Sequence, residues 1–174
     1  MTPGSIIRYF LIFTGLLLLQ VVIIDPINLG RFATPFLYVL FVIILPVNVK
    51  PWRTLVICFI AGLAADFFSD TGAKHAFCMT MAAFTRTYFL PVFINKDDLE
   101  KAMEPNLFNM GYRLFIFYAA GLTFVYHLAF TLLDYFTFHY FFRSIAIAIA
   151  SSLLGLVLIL LIQLIFYRVR ANEL

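Results

Sequence analysis

Apolar residues in this chain come in long blocks and not at the spacing of an amphipathic helix or a half-buried strand. Six blocks can be drawn, near residues 5–24, 33–47, 52–69, 75–94, 112–136 and 144–167. Short breaks rich in Pro, Gly, Asn and charged residues separate them and favour turns. A block of about 20 residues matches the roughly 30 Å hydrocarbon core of a bilayer at 1.5 Å per helical residue. The pattern therefore predicts an all-α polytopic membrane bundle of about six transmembrane helices.

The first two blocks need separate comment. The first is flanked by Arg8 alone and has no small-residue cleavage site near Asp25, so we expect a retained anchor and not a cleaved signal peptide. The second is short and carries Pro35 near its start. It is either a sixth spanning helix or a tilted or re-entrant segment, which would require neighbouring helices to cover its backbone.

Composition supports lipid as the solvent. Of the 174 residues, 64% are hydrophobic and 12% are charged, against about 45–50% and 25% in soluble domains. A soluble chain of this size cannot bury so much apolar surface. Six helices of about 20 residues leave only about 54 positions for loops and tails. We therefore expect residues 1–174 to form a single integral membrane domain without a separate soluble catalytic domain.

Basic residues near the ends of the blocks predict the orientation. Eight lie in the tails and even-numbered loops and three lie on the opposite side: Arg8, Lys50, Arg53, Lys96, Lys101, Arg113, Arg168 and Arg170 against Arg31, Lys74 and Arg143. Cytoplasmic loops are enriched in Lys and Arg, so both termini are predicted to be cytoplasmic. The net charge of +3 thus reflects topology and contact with anionic lipid, and it is poor support for nucleic-acid binding.

Few ionisable residues lie within the blocks, where a charge facing lipid costs about 2.5–3.5 kcal/mol. Asp66 and His127 both lie roughly 21 Å from the predicted cytoplasmic ends of their helices, and Arg86 lies roughly 12 Å from its own. We expect all three to face inward, as an intramembrane polar cluster. Two roles stay open: hydrogen bonding between helices without chemistry, which is the commoner use, and a proton or ion relay.

Other chemical signals are weak. Asp66 and Asp70 lie four residues apart on one helical face and can share a metal, but the further elements of membrane phosphotransferases with this spacing are missing before Gly62. No nucleophile-elbow spacing surrounds any Ser. We therefore expect no catalytic residues, no metal and no cofactor.

The two cysteines and the outer histidines also favour structural roles. Cys58 and Cys78 differ by roughly 15 Å in depth, which is too far for a disulfide, so both are expected to be small packing residues. His75 and His139 are expected at the outer surface. The scattered histidines and cysteines do not match a zinc signature.

Small residues in the third and sixth blocks indicate close helix packing. The sixth block includes pairs four residues apart, such as Ala148 with Ser152 and Ser151 with Gly155. This spacing lets two helix backbones approach closely. We expect packing inside this bundle in preference to contact with a partner helix.

The segment from Lys96 to Pro105 carries six charges with a net charge of −2. It is predicted to be cytoplasmic, and two interpretations remain. One is a solvated connector. The other is a docking site for a cytoplasmic partner through Asp97, Asp98 and Glu100.

Several stretches together resemble one family. They are Arg31-Phe-Ala-Thr-Pro35-Phe, the short block ending in Pro46, Gly62-Leu-Ala-Ala-Asp66-Phe-Phe-Ser-Asp70-Thr-Gly72-Ala-Lys-His75-Ala, Pro105 with Gly111-Tyr-Arg113, and Tyr126-His127 through Asp134-Tyr-Phe136. These residues resemble the rod shape-determining protein MreD family, by pattern over about residues 30–136 and by length and block number over the whole chain. Its clearest motif here is formed by Gly62, Asp66, Asp70, Gly72 and His75.

The resemblance implies a non-enzymatic scaffold in the bacterial inner membrane, within the cell-elongation complex. It implies association with the bitopic protein MreC and, through it, with MreB filaments and the peptidoglycan synthases. It also implies a fold similar to the substrate-binding subunits of energy-coupling-factor vitamin transporters. The alternative function is therefore a small-molecule-binding transport subunit, in which Asp66, Arg86 and His127 line an outward-facing cavity. A cavity of roughly 300 Å³ or more would favour that alternative.

Overall fold

The structure is a computed structural model that describes residues 3–27, 33–94, 104–134 and 141–171. Helix α1 (Pro3–Leu19) continues through a π-helical turn (Gln20–Ile24) into α2 (Asp25–Ile27). The other helices are α3 (Val39–Ile44), α4 (Pro51–Ser69), α5 (Lys74–Phe93), α6 (Leu107–Met110), α7 (Tyr112–Asp134) and α8 (Phe141–Ala171). No strand occurs in these ranges. The predicted all-α class is confirmed.

Four helical segments are long and apolar enough to cross a membrane: Gly4–Ile27, Pro51–Ser69, Tyr112–Asp134 and Phe141–Ile165. They coincide with the first, third, fifth and sixth apolar blocks. Large apolar side chains on their outer faces, among them Phe10, Phe67 and Phe142, are more than half exposed. So much exposed apolar surface suits contact with lipid and not with water. The chain is therefore a membrane protein.

Helix α5 corresponds to the fourth block and is the most polar of the long helices. It carries Lys74, His75 and Arg86, and it packs against α4 on one side and α7 on another. Helix α7 in turn packs against α8. Because α5 is flanked in this way, His75 and Arg86 are buried among protein groups and do not face lipid.

The second block does not form a helix over 33–47. Only Val39–Ile44 is helical, which is about 9 Å of helix. Leu45, which precedes Pro46, has an extended conformation with ψ of 140°, because a proline disfavours helical geometry in the residue before it. Every residue from Phe36 to Ile43 is buried. The segment thus has the protein cover that non-helical backbone at membrane depth requires.

Two ion pairs show which helix ends lie close together. Arg8 near the start of α1 binds Glu104, which shortly precedes α6 and α7, at 2.8 Å. Lys74 at the start of α5 binds Asp134 at the end of α7, at 2.6 Å. Helices α1 and α7 therefore begin on one side of the bundle, and α5 begins on the other.

Small residues allow α4 and α5 to touch backbone to backbone. A Cβ atom at Gly62 would lie 2.7 Å from the Ala76 nitrogen and 2.7 Å from the His75 carbonyl oxygen, closer than atoms can pack. On α8, Ala148, Ser151, Ser152 and Gly155 are buried within the bundle, whereas Ala146 and Ala150 are exposed. The prediction that the paired small residues pack inside this bundle is confirmed.

Gly62→Ala is therefore expected to lower stability by about 1–3 kcal/mol, as overpacking does. The added methyl group meets backbone atoms that cannot rotate away, so α4 and α5 must separate. The matched control is Gly15→Ala in α1, where no atom lies within 4 Å of the new Cβ, and alanine improves helix propensity. Thermal unfolding in detergent should give a lower Tm for Gly62→Ala only. Equal Tm values for the two variants would contradict the close contact.

Candidate functional site

Asp66 joins the end of α4 to the start of α5. Its Oδ1 accepts the backbone N–H of His75 at 2.9 Å, and its Oδ2 accepts the backbone N–H of Ala76 at 2.8 Å. The Thr71 hydroxyl also donates to Oδ1, at 2.5 Å. Ala73, the residue at the N-cap of α5, supplies no side-chain cap. The Asp66 carboxylate therefore satisfies the free N–H groups of α5 and lies at the positive end of its dipole.

The remaining motif residues build the turn between these helices. Asp70 ends α4 in a left-handed conformation with φ of 50°, and Gly72 follows with φ of +60°, a region that glycine enters without strain. Asp70 is exposed, whereas Asp66 is buried and bonded to backbone groups. Gly62, Asp66, Asp70 and Gly72 thus act together as the α4–α5 joint. Within the described residues, no group of three or more His, Cys, Asp or Glu is placed to hold a metal.

Arg86 binds unpaired backbone groups at the end of α3, as Asp66 does at the start of α5. Its Nη2 donates to the Leu45 carbonyl, and its Nε donates to the Tyr118 hydroxyl at 3.0 Å. Tyr118 in turn donates to the Ile43 carbonyl at 3.3 Å. Both carbonyls lie at the C-terminal end of α3, where helical bonding leaves them unpaired. The buried guanidinium is therefore a cationic cap on the negative end of a buried helix.

His127 lies on α7 and is 1% exposed. Its Nδ1 lies 2.8 Å from the Thr123 carbonyl oxygen, so Nδ1 carries the proton and donates. Nε2 is then an acceptor, and it has no hydrogen-bond partner in the described structure. The Phe36 ring stacks on the imidazole at a centroid distance of 5.5 Å.

Asp66, Arg86 and His127 therefore do not form the predicted cluster. No hydrogen bond or ion pair among the described residues joins any two of them. Along α5, Arg86 lies roughly 17 Å from His75, the partner of Asp66. Depth along a helix does not specify rotation about its axis, and Asp66 and Arg86 instead bind the unpaired backbone groups nearest to them.

His75 corrects a second expectation, because it is 1% exposed and does not lie at the outer surface. The Tyr126 hydroxyl lies 2.5 Å from its Nδ1. The Tyr38 hydroxyl lies against the same ring, 2.8 Å from Nδ1 and 2.9 Å from Nε2. The turn before α5 directs this side chain into the bundle, and two tyrosines from other segments surround it.

Phe36 is the centre of an aromatic group in the half of the bundle where α5 begins. Its ring lies 4.7–5.7 Å from five other rings: Tyr38, His75, Tyr126, His127 and Phe130. Sequence analysis included Phe36 only as the last residue of one family-like stretch and assigned it no role. With 22 phenylalanines in the chain, only its position immediately after Pro35 could have distinguished it.

The non-helical backbone before α3 is satisfied by side chains of other helices. Gln20 Oε1 accepts the Leu37 N–H at 2.8 Å, and Gln20 Nε2 donates to the Pro35 carbonyl at 3.0 Å. Ser151 Oγ of α8 accepts the Thr34 N–H at 3.0 Å. Gln20 also begins the π-helical turn, a distortion that is frequent at functional sites. Gln20 is the one amide side chain in the first apolar block. Its isolation among apolar residues was the sequence signal that could have indicated a buried polar partner.

Comparison of the chain with family models, with curated proteins and with solved structures gives no match. The interpretation of the site therefore depends on its own residues. Cys58 and Cys78 are free and buried, as expected of packing residues. The proposed docking residues Asp97, Asp98 and Glu100, and also His139, lie outside the described residues.

Proposed function

We propose that this protein is a non-enzymatic scaffold of the bacterial cell-elongation complex, located in the inner (cytoplasmic) membrane. It contributes to rod shape and lateral peptidoglycan synthesis by associating with an MreC-like bitopic protein and, through it, with MreB and the cell-wall synthases. The proposal starts from the MreD-like residues of the sequence. The observation that carries it is the use of the buried polar side chains, which hold the bundle's own backbone.

Acid-base chemistry and proton relays need polar groups that can exchange partners during the reaction. Both oxygens of Asp66 are held by backbone N–H groups of α5. Arg86 and Gln20 are held in the same way by backbone groups of the segment around α3. Because these groups are committed to helix ends and buried backbone, they support a structural role over a relay or an active site.

The outer half of the bundle favours the scaffold over a transport subunit. A small-molecule site requires a cavity of roughly 300–1,000 Å³ lined by a few convergent polar groups. The position corresponding to such a site is occupied by Phe36 and its neighbouring rings, with the nearest centroid at 4.7 Å. Asp66, Arg86 and His127 also do not converge on one space.

We further propose six crossings with both termini in the cytoplasm, in a fold similar to that of energy-coupling-factor substrate-binding subunits. Residues 33–50 would cross the membrane a second time as a partly helical, partly extended segment that runs beside α5. In support, Tyr38 contacts His75 at the start of α5, and Leu45 contacts Arg86 further along the same helix. Lys50 then leads into α4, which begins at the end of the bundle away from the α4–α5 turn.

Depletion of the protein in its native host tests the function. We expect cells to lose rod shape and become rounder, and a tagged copy to restore the shape and to co-purify an MreC-like protein. Gly15→Ala, a neutral substitution on α1, is the control copy and should restore the shape fully. Unchanged rod shape on depletion, with no MreC-like protein recovered, would refute the proposal.

The docking hypothesis has its own test. Reversal of charge at Asp97, Asp98 and Glu100 should reduce recovery of the partner while the variant still accumulates in the membrane. The control is charge reversal at Arg143, which is exposed in the first turn of α8. If both variants recover the partner equally, the segment is only a solvated connector.

A further inference from the structure

Buried polar atoms in this structure are paired with few exceptions. Among the described residues, three buried side-chain atoms have no hydrogen-bond partner: Thr54 Oγ1, Thr123 Oγ1 and His127 Nε2. Thr123 and His127 lie one turn apart on α7, and they are 0% and 1% exposed. Because His127 Nδ1 donates to the Thr123 carbonyl, Nε2 of the neutral ring presents a lone pair that requires a donor. The backbone of Thr34 also lies near this ring, but its carbonyl can only accept and its N–H is bound by Ser151.

The Thr123 hydroxyl differs from the other hydroxyls on these helices. Six of them donate to the carbonyl oxygen four residues earlier, which are those of Thr14, Thr80, Thr85, Thr87, Thr131 and Ser152. That local bond is the usual one for Ser and Thr inside a helix. The Thr123 hydroxyl does not make it, so its proton is free for another acceptor.

Thr123 and His127 both lie at the seam between α7 and α8. A Cβ at Gly155 of α8 would lie 3.3 Å from His127 Cε1 and 3.4 Å from Thr123 Cγ2, so the two helices meet closely here. Ser151, one turn earlier on α8, binds the Thr34 N–H. Phe36 covers the His127 ring. The seam is therefore closed from lipid by the segment that precedes α3.

We propose that this seam binds a structural water molecule. The water donates one proton to His127 Nε2 and accepts the Thr123 hydroxyl proton. Ser151 Oγ, which accepts from Thr34, still has its own proton to donate and is a candidate third partner. Buried waters typically make about three hydrogen bonds to polar groups that would otherwise be unpaired. This site is independent of the scaffold function proposed above.

Nuclear magnetic resonance of the unmodified chain in detergent tests the site directly. With histidines labelled by ¹⁵N, we expect the His127 Nε2 resonance at the position of a hydrogen-bonded acceptor, and magnetisation transfer from water to the His127 ring proton. A free-acceptor resonance without transfer from water would overturn the proposal.

The sign of a stability change gives a second test. If the water is present, Thr123→Val loses a hydrogen bond and should lower the Tm by about 2–4 °C. The control, Thr131→Val on the same helix, removes only a local bond to a helical carbonyl and should change the Tm by about 1 °C at most. If Thr123→Val has an unchanged or higher Tm, the hydroxyl is truly unpaired and the water is refuted, since removal of an unpaired buried polar group is favourable.

Discussion

Replacement of Arg86 by methionine is expected to cause a large loss of stability, the largest among the substitutions proposed for this bundle. The substitution leaves the Leu45 carbonyl without its donor. It also removes the donor to the Tyr118 hydroxyl oxygen, which keeps only its own bond to the Ile43 carbonyl. Each buried polar group left unpaired costs about 1–3 kcal/mol, and bonds to a charged group are stronger than average. We expect a loss of about 3 kcal/mol or more, which lowers the Tm by about 6–12 °C.

Two further variants separate the contributions of charge and geometry. Arg86→Lys keeps the positive charge at the end of α3 but lacks the planar fork that reaches two acceptors, so its Tm should be intermediate. Arg113→Met removes an arginine that is exposed at the start of α7 and should change stability by about 0.5 kcal/mol at most. Equal Tm values for Arg86→Met and Arg113→Met, measured by thermal unfolding in detergent, would contradict the capping role.

Asp66→Ala is expected to be the second most damaging of these substitutions. It removes the acceptors of two buried N–H groups at the start of α5, together with a negative charge at the positive end of the helix. Loss of a cap costs about 0.5–2 kcal/mol, and burial of the unpaired groups adds to this. We expect a total of about 3 kcal/mol, measured as a Tm lowered by about 6–12 °C.

Asp70 provides the matched control four residues further on. It is exposed and has φ of 50°, a conformation that asparagine tolerates, so Asp70→Asn should leave the Tm within about 1–2 °C of the unmodified chain. Asp66→Asn retains one acceptor oxygen and should be intermediate. If Asp66→Asn unfolded like the unmodified chain yet failed to restore rod shape, the carboxylate would have a chemical role, and the structural assignment would be wrong.

The long helices could be predicted from local residues because the bilayer imposes both length and hydrophobicity. Blocks 52–69 and 112–136 agree with Pro51–Ser69 and Tyr112–Asp134 to within two residues. Gly62 could likewise be assigned to close packing, since small residues in membrane helices usually mark contact. These inferences need only the identity of a residue and of its neighbours in the chain.

The second block was predictable only in part. Pro35 and Pro46 raised the alternative of a non-spanning segment, but its path beside α5 depends on partners far away in the chain. Gln20, Arg86 and Ser151 each hold part of its backbone. Hydropathy could not indicate these bonds, because an isolated polar residue in an apolar block has the same sequence signature whichever backbone group it binds.

The sequence alone determined the helical class, the membrane as solvent and the approximate ends of most long helices, because those follow from the composition and length of each block. Only the tertiary structure decided what the buried polar residues do. Asp66 and His127 have similar predicted depths, yet one caps α5 and the other lies against Phe36 in the α7–α8 seam. Rotation about each helix axis and the course of the segment around α3 set these partners, and both are consequences of packing between distant parts of the chain.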